Sequence, residues 1–222
     1  MDVLYIQQIH FLEVGVVMLE KFGMKISNIV AANIDGIDDI QKEIISYTVI
    51  QLIGEFVKIA IMIVIAHLLN ITGYFLLSIL CTGFYRIPSG GVHTKSHIQC
   101  FLLTSLLFFG NIFLSIISKN LYLDPLYIGI FIFNIVIITL LAPADTEMKP
   151  IISKKQRKNL KIISYFMMTG LILIGRFLIS NIIIRNILIF GTAIQSITML
   201  PFMYRLIGTK YGYRDGITEP QI

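Results

Sequence analysis

The chain has 222 residues, of which 56% are hydrophobic and only 14% charged, with a formal net charge of +5. A mean hydropathy of +0.82 excludes an ordinary soluble domain, which needs far more polar surface, and points to an all-α integral membrane protein. In that class a positive balance signals topology first, and nucleic-acid binding is not expected. No low-complexity linker divides the chain, so residues 1–222 read as a single membrane domain. The two cysteines, Cys81 and Cys100, make no disulfide framework. No C-x-x-C or Cys–His metal spacing is present, so neither metal nor cofactor is expected.

In chain order, residues 1–30 come first. They lack the basic start of a secretory signal and carry Asp2, Glu13 and Glu20. On a helical wheel Gln7, His10, Lys21, Lys25 and Asn28 join these acids on one side, while Val16, Leu19 and Ile26 lie away from them. That pattern predicts an amphipathic helix lying in the membrane interface, in contact with the lipid bilayer. About six hydrophobic helical segments follow within 44–207, at about 44–69, 72–85, 98–117, 123–143, 162–180 and 187–207. A cytoplasmic tail, 208–222, closes the chain.

The first segment holds Glu55 and Lys58 on one helix face, which reads either as an internal ion pair or as part of a substrate or ion pathway. The second is short and carries Ser78, Cys81 and Thr82, so it either spans with a tilt or dips in and returns. Cys81, among apolar neighbours, reads as buried and inert. The fifth holds Arg176, which has no local partner in sequence and reads as lining the bundle or snorkelling.

Charge sets the sidedness. Lys149, Lys154, Lys155, Arg157, Lys158 and Lys161 cluster in one connection. Lys21, Lys25 and Lys42 precede the first segment, Arg86 and Lys95 follow the second, and Arg205, Lys210 and Arg214 stand at the end. The intervening connections hold only Lys119 and Arg185. The positive-inside rule then puts both termini and the 86–97 loop in the cytoplasm, which six crossings satisfy.

Between the second and third segments lies a polar island, Arg86-Ile-Pro-Ser-Gly-Gly-Val-His-Thr-Lys-Ser-His-Ile-Gln-Cys100. Thiol, imidazole and adaptable backbone are the parts of a thiol-based acyl-transfer site. Ser96 followed by Gln99 matches a capping box, which would start a helix there and put Cys100 in its first turn. Unpaired N–H groups and the positive dipole end at such a start favour a thiolate. His97, three residues before Cys100, and His93, seven before it, both remain candidate bases. Seven residues of continuous helix would separate a pair by roughly 10 Å, so His93 serves only if the chain bends before the helix. Gly90 and Gly91 read either as a simple turn or as a site where a peptide approaches the thiol and N–H groups face an oxyanion.

In these residues the chain resembles the accessory gene regulator B (AgrB) family of bacterial membrane peptidases. The likeness rests on Arg86, the run Ser89-Gly-Gly-Val-His-Thr-Lys-Ser96, and Cys100. A second motif, Ala142-Pro-Ala-Asp-Thr-Glu-Met-Lys-Pro150, reinforces it. The resemblance implies a cysteine endopeptidase of quorum sensing, with His93 and Cys100 as the catalytic pair. It implies an AgrD-like propeptide as substrate, whose tail is removed while a thiolactone or lactone ring closes. It places the protein in the bacterial cell membrane as a multi-pass protein, with the active site on the cytoplasmic side. A homodimer is compatible with the family and is derived from nothing in the residues.

Arg86, Gly90, Gly91, Ser96, Asp145 and Lys149 are the candidate supporting or substrate-binding residues. Asp145 either orients His93 or shapes the turn between Pro143 and Pro150, the commoner role for an aspartate so placed. The basic run reads as a topology and lipid-surface signal, and also as an attractor for an acidic propeptide tail. Without the two motifs, a non-enzymatic transporter or sensor subunit built around Glu55, Lys58 and Arg176 would be favoured. An intramembrane protease of general substrates is a third reading, excluded if the chain requires one short peptide.

Overall fold

A computed structural model describes residues 39–94, 97–146 and 150–212, together with Lys21, Met24, Lys25 and Ile29. The expected interfacial helix at 1–30, Ser96, Lys149 and most of the terminal tail lie outside the described residues. Among the described residues the chain is helical, with α1 (Asp39–Leu68), α2 (Thr72–Ser89), α3 (His97–Ile117), α4 (Asp124–Leu141), α5 (Lys154–Leu173), α6 (Ile182–Ile197) and α7 (Pro201–Ile207). A 3₁₀ turn, Ser118–Asn120, follows α3, and a π-helical turn, Ile174–Leu178, extends α5.

Four stretches are long and apolar enough to cross a membrane: Thr48–Leu68, Ile98–Asn120, Asp124–Leu141 and Lys154–Leu178. The pair α6 and α7 makes a fifth if taken together. These helices turn large apolar side chains outward, with Leu106 70%, Ile117 77%, Phe166 74% and Phe177 74% exposed. Water would penalise such a surface and lipid would not, so the chain is a multi-pass membrane protein.

The chain divides into two compact units, Met1–Ile65 and Ala66–Ile222. In the first unit Lys58 Nζ donates to Glu55 Oε1 at 2.5 Å, the internal ion pair that the spacing suggested. Such a pair makes a charged helix less costly to insert. In the second unit α6 is the central helix, with Asn186, Ile187, Leu188, Ile189, Phe190, Gly191 and Thr192 all buried. It packs against α2, α3, α4 and α5.

Amide and hydroxyl groups tie these helices together. Asn111 Nδ2 donates to Ser78 Oγ and to Ile187 O, both at 3.1 Å. Asn134 Nδ2 donates to Thr192 Oγ1 at 2.8 Å, and Tyr85 Oη pairs with Ser196 Oγ at 2.8 Å. Tyr127 donates to Asn186 Oδ1. In a bilayer, where apolar burial gives helices little reason to associate, such bonds contribute about 0.6 kcal/mol each and fix register.

Four features differ from the sequence expectation. Helix α2 continues through Pro88 to Ser89, although a proline removes a donor and breaks most helices. Here Pro88 sits in the last turn, where only one bond is forfeited before Gly90 ends the helix. Helix α5 starts at Lys154, so the basic run from Lys154 to Lys161 forms its first two turns. Ser153 caps it, accepting from Gln156 N at 3.3 Å. The segment 187–207 is two helices bent by 70°, because Pro201 cannot continue the α6 ladder. Arg176 has a distant partner: its Nη2 lies 2.9 Å from Asp124 Oδ2, at the amino end of α4.

Candidate active site

The polar island opens where α2 ends. Gly90 has φ +73° and Gly91 φ +137°, conformations that L side chains rarely adopt. The room is also taken: a Cβ on Gly90 would lie 2.2 Å from Ala144 O, and one on Gly91 would lie 2.6 Å from Thr198 Oγ1. Gly91 makes room for the Thr198 and Arg86 side chains, and Gly90 for close approach of backbone to backbone.

That approach joins the two motifs. Gly90 and Ala144 form an isolated parallel bridge. Ala144 N donates to Ser89 O and Gly91 N donates to Ala144 O, each at 2.8 Å, and Gly90 N donates to Arg86 O at 2.9 Å. Both glycine N–H groups therefore serve the fold and are not available as donors to an oxyanion.

The other side of the island is held by the junction between α6 and α7. Val92 N donates to Thr198 O at 3.1 Å. Arg86 donates through Nη2 to Val92 O at 2.6 Å and through Nη1 to Gln195 Oε1 at 3.2 Å and Thr198 Oγ1 at 3.3 Å. Gln195 Nε2 donates to Gly90 O at 2.6 Å and to Ser89 Oγ at 3.1 Å. Arg86 is thus a clamp that folds its own loop back onto α6.

Residues 91–94 are not helical, and α3 begins at His97. His93 is exposed and directly follows Val92, whose N–H and carbonyl are both held. Cys100 is half-buried in the first turn of α3, outside any disulfide, with its Sγ 3.9 Å from Thr104 Oγ1. The separation that continuous helix would impose on His93 and Cys100 therefore does not arise. Cys81 is buried within α2.

Asp145 is buried and occupied by its own turn. Its Oδ2 accepts from Ile151 N and from Arg157 Nη1, each at 2.9 Å. Arg157 Nη2 also donates to Pro143 O at 3.1 Å, and Tyr204 Oη donates to Asp145 O at 3.1 Å. This is a turn-shaping arrangement. One member of the basic run, Arg157, belongs to it and is not a freely solvated charge.

Gln195, Thr198 and Tyr204 hold the loops of the site and carry no site role in the sequence reading, which names Arg157 only within the basic run. A signal for the first two existed: Gln195-Ser-Ile-Thr198 puts three polar residues in an apolar helix just ahead of Pro201. Arg157 was masked by five lysines that share its charge.

The family profile of accessory gene regulator B matches residues 24–199. An AgrB-like protein of Clostridium perfringens strain SM101 is 32% identical over 162 residues, covering 71% of this chain and 75% of the relative. A second AgrB-like protein, from Clostridium perfringens strain 13, is 30% identical over the same shares. Accessory gene regulator protein B of Staphylococcus aureus strain RF122 is 28% identical over 156 residues, covering 69% of this chain and 79% of the relative. No solved structure matches the chain.

Proposed function

The chain belongs to the accessory gene regulator B family, and from that premise we propose that it is a membrane cysteine endopeptidase of quorum sensing. Its substrate is an AgrD-like propeptide with an amphipathic leader, a central cysteine or serine and an acidic tail. The observation that carries the reading is the placing of Cys100, half-buried in the first turn of a helix. The extended segment that bears His93 is tethered to the bundle just before that turn.

His93 takes the proton of Cys100, and the thiolate attacks the peptide bond preceding the propeptide tail. The tail's nitrogen leaves with the proton from the imidazolium, and the core remains as a thioester on Cys100. An internal thiol or hydroxyl of the core attacks that thioester, closing the ring and returning the cysteine. Thioester for thiolactone is nearly energy-neutral, so excluding water decides between cyclisation and hydrolysis. A half-buried thiol at the membrane edge supports that exclusion.

The charge pattern supports six crossings with the site and both termini on the cytoplasmic side. That count takes α2 as a crossing beside the four long apolar stretches and the α6–α7 pair, although α2 is not itself among the stretches long and apolar enough to cross.

The test is a variant series in cells that co-express an AgrD-like propeptide. Cys100→Ala and His93→Ala should abolish tail cleavage, with His97→Ala milder. Cleavage that survives Cys100→Ala in a correctly inserted protein would sink the peptidase reading and favour the transporter or sensor.

A further inference from the structure

We propose that Gln195 is a positioning residue for the His93 base; the inference rests on the peptidase reading above. Gln195 is 1% exposed, in the last turn of α6. Its amide is used at both ends. Nε2 donates to Gly90 O at 2.6 Å and to Ser89 Oγ at 3.1 Å, while Oε1 accepts from Arg86 Nη1 at 3.2 Å. An uncharged side chain with two donors on one atom and an acceptor on the next meets all three demands.

The consequence reaches His93 along the backbone. The Gly90 carbonyl belongs to the peptide plane whose N–H is that of Gly91, and that N–H donates to Ala144 O at 2.8 Å. Fixing the carbonyl fixes the plane. Two residues on, Val92 is held through its N–H by Thr198 O at 3.1 Å and through its carbonyl by Arg86 Nη2 at 2.6 Å. Gln195 holds the arginine that makes the second of these bonds. The chain is thus tethered from Ser89 to Val92, the residue before His93. The amide of Gln195 joins the two halves of that tether to one helix end, the same break where Pro201 starts α7. A glycine pair has many alternative conformations, so this anchor, together with the backbone bonds beside it, sets the path along which the chain reaches His93. Misplacing a base by about 1 Å costs on the order of a hundredfold in rate.

Alkylation of Cys100 tests this without a substrate. The full-length protein, with Cys81→Ala to leave one thiol, is reacted with iodoacetamide in detergent at neutral and at alkaline pH. The ratio of the two rates reports activation of the thiol by its base and cancels accessibility, because every exposed thiol ionises at alkaline pH. His93→Ala should lower the ratio several-fold. Gln195→Leu, which removes all three bonds, should lower it comparably. Gln195→Glu keeps an acceptor for Arg86 but presents a carboxylate to the Gly90 carbonyl, and should behave like Gln195→Leu while preserving the packed volume.

A lowered ratio in both Gln195 variants, at an alkaline rate and thermal midpoint near those of the parent, supports the positioning role. Gln195 variants that match the parent while His93→Ala lowers the ratio overturn it and leave the peptidase reading standing. A ratio unmoved by His93→Ala overturns both. If Gln195→Leu does not accumulate, the isosteric Gln195→Glu alone decides, by the same two outcomes.

Discussion

At the scale of single residues, the site depends on positions that admit no side chain or no other one. Gly90 is the sharpest case, with a left-handed φ and Ala144 O where a Cβ would stand. Gly90→Ala should cost at least about 2 kcal/mol, seen as a lowered thermal midpoint, and should separate the two motifs. Gly83, in the middle of α2 with nothing within 4 Å of its would-be Cβ, is the contrast. Gly83→Ala should leave the midpoint unchanged or raise it by up to about 1 kcal/mol equivalent, since glycine weakens a helix interior. Equal losses in the two variants would mean that glycine content, and not the close approach at Ala144, is what matters. Asp145 and Arg157 show why residue type alone misleads. One is an acid beside a candidate site and the other a base within a topology signal, yet each is the other's partner in a buried turn.

At the scale of elements, hydrophobic length and turn residues made most helices legible in sequence. The start of α3 just after Ser96, with Cys100 in its first turn, followed from a polar cap ahead of an apolar run. What was not legible is what depends on partners distant in sequence. The pairing of Arg176 with Asp124 is settled by such a contact, whereas the extension of α2 through Pro88 and the 70° break ahead of Pro201 turn on where each proline falls in its helix, which hydrophobic length does not mark. The Arg176–Asp124 pair also bears on the rival reading. Its side chains are 39% and 36% exposed, so it contributes little, and Arg176→Gln should cost under about 1 kcal/mol. Propeptide processing by that variant should stay near the parent level. A severe loss of function in a stable, inserted Arg176→Gln protein would instead favour a transport pathway through the bundle.

At the scale of the whole molecule, the two motifs lie far apart in sequence and meet at one end of the bundle. Gly90 pairs with Ala144, and the end of α6 grips the loop from the other side. The exposed lysines at the start of α5 belong to the same end. Neutralising Lys154, Lys155 and Lys158 together should weaken processing of an acidic-tailed propeptide about tenfold at low salt and far less at high salt. Arg157 is left intact, because it holds Asp145. Unchanged processing in the triple variant would count against an electrostatic hold on the tail. If Cys100 carries the propeptide core as a thioester, intact mass of the purified protein after brief exposure to its propeptide will show it. The expected result is a mass increase equal to the propeptide without its tail, released by hydroxylamine and absent in Cys100→Ala. Release of the tail from the propeptide by Cys100→Ala, or a parent protein that frees the tail without any hydroxylamine-sensitive adduct, would contradict it.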